Sequence, residues 1–135
     1  MPSAIVIDDS TIMRTQLRRV LVGAGFSIAA EAADAETLVA LYEQHRPDLI
    51  TLDIVMPGRD GATAAAELLG CHPEAVIVMC TSLTTRDKIV ACQRAGVSYY
   101  LLKPFEPEQA AAIFLAALKG PTKAHDLVSA DRRRS

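Results

Sequence analysis

The chain predicts an α/β protein, a doubly wound sheet of five parallel strands with helices on both faces. Three observations carry this. Five apolar, strand-like runs alternate with stretches whose apolar residues recur at helical spacing. Several runs are apolar almost without interruption, as strands covered on both faces are. Acidic, hydroxyl or basic residues stand directly after four of the five runs, where sheets of this kind place their ligands.

The first run, Ala4–Asp8, passes through Asp8-Asp9-Ser10 into a helix with Met13, Leu17, Val20 and Leu21 on one face. Ser10 suits its N-cap and Gly25 its exit. The second run, Phe26–Glu31, precedes a helix marked by Leu38, Leu41 and Tyr42, for which Asp34 suits the N-cap. The third run, Leu49–Asp53, follows Pro47, and an alanine-rich helix around Ala62–Leu69 comes after it, closed by Gly70. The fourth, Ala75–Cys80, follows Pro73 and leads through Thr81-Ser82 to a helix around Thr85–Ala95 that buries Ile89 and Cys92 and ends before Gly96. The fifth, Ser98–Leu102, delivers Lys103-Pro104-Phe105 and then a helix with Ala110, Phe114, Ala117 and Leu118 on one face. Repeated strand–helix order implies right-handed crossovers and a parallel sheet. Periodicity is lost after Gly120, so 1–119 is expected to be one domain and 120–135 a tail or truncated linker.

A chain of 135 residues, 50% hydrophobic and 22% charged, is long enough to bury a real core. Trp is absent and alanine is abundant, so helices are expected to pack closely through small side chains. The net charge of −2 is uneven: up to Leu118 nine basic residues face fourteen acidic ones, whereas the remainder carries five basic residues against two acidic. An acidic body argues against nucleic acid as the main ligand, and Arg132-Arg133-Arg134 reads as a solvated tail or an anchor for an acidic partner. Cys71, Cys80 and Cys92 are odd in number and lack metal spacing, which suits a reducing, cytoplasmic compartment. Asp8 and Asp9 interrupt the first apolar stretch too early for a signal peptide, and no run is long enough to insert in a membrane.

A lone carboxylate closing a buried strand, as Asp53 does, is costly to desolvate and is kept for chemistry or a metal. If the runs lie side by side, Asp8, Asp9, Asp53 and Lys103 meet at the carboxyl edge of the sheet, a site for Mg²⁺ and a phosphoryl group. Each piece alone has a plainer reading. Asp8-Asp9-Ser10 and Thr81-Ser82 serve equally as helix caps, Asp53 as a turn residue, and Lys103-Pro104 as a strand exit.

Taken together, Val6-Ile7-Asp8-Asp9-Ser10, Asp53-Ile54-Val55-Met56-Pro57 ending in Asp60-Gly61, Thr81-Ser82 and Lys103-Pro104-Phe105 resemble the receiver domain of two-component response regulators over about Ala4 to Leu118. The stretch Asp8 to Arg14 looks most like stand-alone receivers of the chemotaxis (CheY) type. The resemblance implies a flavodoxin-like (βα)5 fold with strand order 2-1-3-4-5. It implies that Asp53 accepts a phosphoryl group from a histidine kinase or histidine phosphotransfer protein. Asp9 and Asp53 would hold Mg²⁺ directly, Asp8 through water, and the Val55 carbonyl would add another oxygen. Lys103 would face the acceptor and then the phosphoryl oxygens, and Thr81 would donate its hydroxyl to one of them. Tyr100 matches the family's switch aromatic, filling space that Thr81 vacates; Tyr99 is expected on the other side of the sheet. Lys103-Pro104 matches a family site where the peptide bond is cis.

The first helix, with Met13, Arg14 and Arg18, is the expected kinase-side surface. Val90, Ile113 and Tyr100 mark an output face of the fourth helix, fifth strand and fifth helix for a downstream target protein. Val55 and Leu83 are apolar where chemotaxis receivers often carry polar side chains, so slow loss of phosphate is expected. The leading function is a single-domain phospho-switch, in chemotaxis or motility. The alternatives are a receiver severed from a DNA-binding regulator and a phosphorelay shuttle. An aspartate-nucleophile phosphatase fits poorly, because Val55 stands where such an enzyme needs its general acid.

Overall fold

The computed structural model describes residues 1–56, 58–82 and 86–119. Pro57, Leu83, the expected helix start at Thr85 and the segment 120–135 lie outside the described residues. The elements run β1 (Ser3–Ile7), α1 (Thr11–Gly23), β2 (Ser27–Ala32), α2 (Leu38–His45), β3 (Leu49–Asp53), α3 (Gly61–Cys71), β4 (Ile77–Thr81), α4 (Arg86–Ala95), β5 (Tyr99–Leu102) and α5 (Pro107–Ala117). All five strands are parallel, in the order β2-β1-β3-β4-β5. The doubly wound arrangement expected from the sequence is therefore the one observed.

Strand alternation divides the core in two. Ile5, Ile7, Ile50, Leu52, Ile77 and Met79 face α2, α3 and α4, where they meet Leu38, Tyr42, Ala65, Leu68 and Cys92. Ala4, Val6, Leu49, Val78, Cys80 and Leu101 face α1 and α5, where they meet Leu17, Leu21, Ala110 and Phe114. Tyr100 packs on the first side and Tyr99 on the second, as their adjacency in a strand requires. β3 is buried along its whole length, the expected state of a central strand.

Several helix ends differ from expectation. Ser10 does cap α1, its hydroxyl accepting from the Met13 N–H at 3.1 Å. Asp34 does not cap α2: its carboxylate accepts from the Glu36 N–H at 3.0 Å in a local turn, and α2 begins only at Leu38 after Thr37. Gly70 does not end α3, which continues through Cys71. The stop is set by Pro73, whose ring disfavours helical backbone at His72, and His72 accordingly leaves the helix at φ −136° and ψ 78°. Leu118 is not on the buried face of α5; it lies at the helix terminus, exposed. Gly25 and Gly96 do serve as exits, at φ 102° and 108°, a region that side chains disfavour.

The start of α3 is fixed by contact with β3. The Gly61 N–H donates to the Ile54 carbonyl at 2.8 Å, and a Cβ on Gly61 would overlap the Asp53 carbonyl oxygen and stand 2.8 Å from the Ile54 Cα. Backbone lies on the crowded side, so no flexible tip can yield. Gly61→Ala is expected to lower stability by about 1–3 kcal/mol, read as a reduced urea midpoint with an unchanged m-value.

Candidate functional site

Parallel strands end together, so the residues that follow β1, β3, β4 and β5 gather at one edge. Asp8 follows Ile7, Asp53 closes β3, Thr81 closes β4, and Lys103 follows Leu102. Continued alternation puts Asp8, Asp53 and Lys103 on the α1/α5 side, above Val6, Thr51 and Leu101. Thr81 follows Met79 on the side of Tyr100.

Asp8 is buried almost completely, at 1% exposure, and Asp53 is buried at 7%. Neither stands alone. The Lys103 ammonium lies 3.2 Å from Asp8 Oδ2 and 3.3 Å from Asp53 Oδ1, bracing both carboxylates with one charge. The Ser10 N–H donates to Asp8 Oδ1 at 2.9 Å, and the Val55 N–H donates to Asp53 Oδ1 at 3.3 Å. Asp9 is exposed beside them. One carboxylate oxygen each from Asp8, Asp9 and Asp53 come within 4.8 Å of one another. Anionic oxygens this close suit a hard divalent cation such as Mg²⁺, which takes one or two carboxylates and retains water.

Burial pushes the Asp53 carboxyl above its ordinary value; Lys103 and the Val55 N–H pull it back, and the charge of Asp8 pushes it further up. Burial alone would depress Lys103, but the charges of Asp53 and Asp8 outweigh it and hold the ammonium above its ordinary value. Cys80 pairs with Asp53 in the β3–β4 register, on the α1/α5 side. Burial pushes its thiol up to about 12. At neutral pH the thiol is therefore protonated and a poor nucleophile.

The remaining expected residues fall as follows. Thr81 is buried, and its hydroxyl donates to the Ser82 carbonyl at 3.1 Å. Tyr100 is partly buried against the α3/α4 side, its hydroxyl donating to the Val97 carbonyl at 3.0 Å. The Lys103 N–H donates to the Thr81 carbonyl at 2.6 Å, joining the ends of β4 and β5, and Lys103-Pro104 is cis. Val55 is half-exposed at the rim, Val90 is exposed on α4, and Ile113 leans partly buried onto the α1/α5 core with Met13. Arg14 is turned inward: it donates to the Asp8 carbonyl at 2.6 Å. Arg18 is paired with Glu31.

Two residues of the quoted motif take roles that the sequence alone does not assign. Asp60 caps α3, accepting from the Thr63 N–H at 2.8 Å, and its other oxygen lies 3.3 Å from Lys88 on α4. Gly61 holds α3 against the end of β3. The dipeptide Asp60-Gly61 was legible as a motif; an Asx cap followed by a close-approach glycine is the signal it contained.

Fold and site together define a flavodoxin-like protein with an acidic edge braced by lysine. The family model of the response regulator receiver domain matches residues 4–114. The chain is 38% identical over 106 residues to protein CcdB of Bacillus subtilis (strain 168), covering 78% of this chain and 88% of that protein. It is 40% identical over 102 residues to the chemotaxis protein CheY of Halobacterium salinarum (strain ATCC 29341 / DSM 671 / R1), covering 76% and 84%. It superposes on a chain of the CheX-CheY-BeF3-Mg²⁺ complex from Borrelia burgdorferi with a TM-score of 0.78 at 28% identity, covering 84% of this chain and 87% of that one. The chain belongs to the response regulator receiver domain family, and its relatives include CheY chemotaxis proteins.

The raised Asp53 carboxyl has a consequence for stability. A carboxyl whose folded value lies above its unfolded value binds more protons in the native state between those values. Stability therefore falls as pH rises through that window. Asp53→Asn removes the penalty while Lys103 keeps Asp8 as its partner. The variant is expected to melt above the wild type at pH 7 without divalent cation. The gain should disappear as pH falls through the titration of Asp53, which calorimetry across pH measures.

Proposed function

We propose that the protein is a phosphoacceptor switch of a two-component system, with Asp53 as the acceptor. The observation that carries this reading is the meeting of three carboxylates with one ammonium at the carboxyl edge, two of the carboxylates 3.2 and 3.3 Å from Lys103. An Asp53 oxygen attacks the phosphorus of a phosphohistidine on a histidine kinase or histidine phosphotransfer protein. The new O–P bond forms as the N–P bond breaks, and the departing imidazole takes up a proton.

The obstacle is electrostatic, since a carboxylate must approach a charged phosphoryl group. Asp8, Asp9, Asp53 and the Val55 carbonyl would hold Mg²⁺, which when bound neutralises the phosphoryl oxygens and the crowded carboxylates. Lys103 then exchanges part of its contact with Asp53 for a phosphoryl oxygen, a compact charge on a flexible stem. Thr81 turns its hydroxyl from the Ser82 carbonyl to another oxygen. Thr81 and Tyr100 share a face of the sheet, which supports the ring following Thr81 inward and changing the α4–β5–α5 surface offered to a partner protein.

Met13 and Arg18 on α1 offer the donor-side surface, and Val90 with Ile113 borders the output side. The relatedness to CheY proteins supports a role in chemotaxis or motility, and three free cysteines support a cytoplasmic setting. The same reading treats 1–119 as the receiver and 120–135 as a tail or truncated linker.

Acetyl phosphate with Mg²⁺ is expected to add one phosphate to the wild type and none to Asp53→Asn, measured by intact mass. Equal labelling of the variant would overturn the assignment. Val55 at the rim cannot hydrogen-bond a water aligned in line with the phosphorus. Val55→Asn is therefore expected to speed phosphate loss severalfold after the donor is removed, and an unchanged decay would exclude this shielding.

A further inference from the structure

We infer that Arg14 is a positioning residue for the acidic loop: it fixes the peptide joining Asp8 to Asp9 and thereby sets the affinity of the carboxylate cluster for Mg²⁺. The inference rests on reading that cluster as a cation site. Asp8 and Asp9 are consecutive, yet one carboxylate is buried beneath Lys103 and the other is exposed. Two neighbouring side chains can converge on one ion only if the peptide between them holds a single orientation. Because that peptide is planar, fixing the Asp8 carbonyl also fixes the Asp9 N–H and the direction in which Asp9 leaves.

Arg14 makes this contact. Its Nη1 donates to the Asp8 carbonyl at 2.6 Å from one turn along α1, and its Nη2 reaches the Thr11 hydroxyl at 3.3 Å. Its side chain is only 18% exposed, and its Nε lies 3.6 Å from Glu31 Oε1 on β2. Glu31 is held in turn by Arg18. The guanidinium is thus oriented by α1 and β2 together and aimed at one main-chain oxygen. On the other side of the Asp8 backbone, the N–H donates to the Ala32 carbonyl at 3.1 Å.

Charge and geometry make opposite demands here, which makes the role testable. A bare positive charge near the cluster repels a divalent cation, so deleting Arg14 would tighten Mg²⁺ binding if its charge were all that mattered. Deleting a residue that orients the ligands weakens binding, and partners of this kind are worth about 10-fold or more in metal affinity. Glu31 lies against Arg14 and offsets much of the charge, so geometry wins.

The experiment is a Mg²⁺ titration of the full chain followed by amide NMR, comparing wild type, Arg14→Ala and Arg14→Lys. Wild-type amides at Asp8, Asp9 and Asp53 should respond; if they do not, the cation-site reading itself fails and takes this inference with it. With wild type responding, Arg14→Ala should raise the dissociation constant on the order of 10-fold. Arg14→Lys should fall between, since a single ammonium reaches the carbonyl or Glu31 but does not fork to both. Amides in β5 and α4 should keep their shifts. A general loss of structure would instead move those distant amides, which would refute positioning. Unchanged or tighter binding in both variants overturns the role of Arg14 and leaves the cation site standing. Should Arg14→Ala not fold, Arg14→Lys decides by the same comparison.

Discussion

Two carboxylates, each more than nine-tenths buried, share one ammonium at the edge of the sheet, and the rest of the molecule is arranged around that fact. A buried carboxylate without a partner is driven to protonate, and two of them in proximity aggravate each other. Lys103 pulls the Asp53 carboxyl back, but burial still holds it above its ordinary value. A carboxylate poorly solvated and incompletely paired gains from an arriving cation, so the unliganded site is held tense by its own burial.

The backbone carries much of this arrangement. The Ser10 and Val55 N–H groups each donate to one of the two carboxylates, and the Arg14 guanidinium holds the Asp8 carbonyl. Gly61 lets α3 start hard against the end of β3, and Asp60 caps that start while reaching Lys88 on α4. The connection from β3 to α3 is thereby held at both ends by these contacts.

The five strands were legible because near-continuous apolar runs such as Leu49–Leu52 admit few other structures, and the acidic edge was legible because Asp8, Asp53 and Lys103 each end such a run. Helix termini were less so. Asp34 has the chemistry of a cap but spends it on a turn, and Gly70 has the flexibility of an exit but is overruled by Pro73. Arg14 is expected from the sequence on the kinase-side surface of the first helix; only the fold reveals that a carbonyl and a glutamate from another strand turn it inward. Long-range partners of this kind leave no local mark in a sequence.

The division of the core by strand alternation has one more consequence. Asp8, Asp53, Cys80 and Lys103 look toward α1 and α5, whereas Thr81 and Tyr100 look toward α3 and α4. The sheet is a partition between two rooms, and its carboxyl edge is the doorway. Side chains deep in either room pack among their own neighbours, with the sheet standing between them and the other room. Only the few residues standing at the doorway must answer to both.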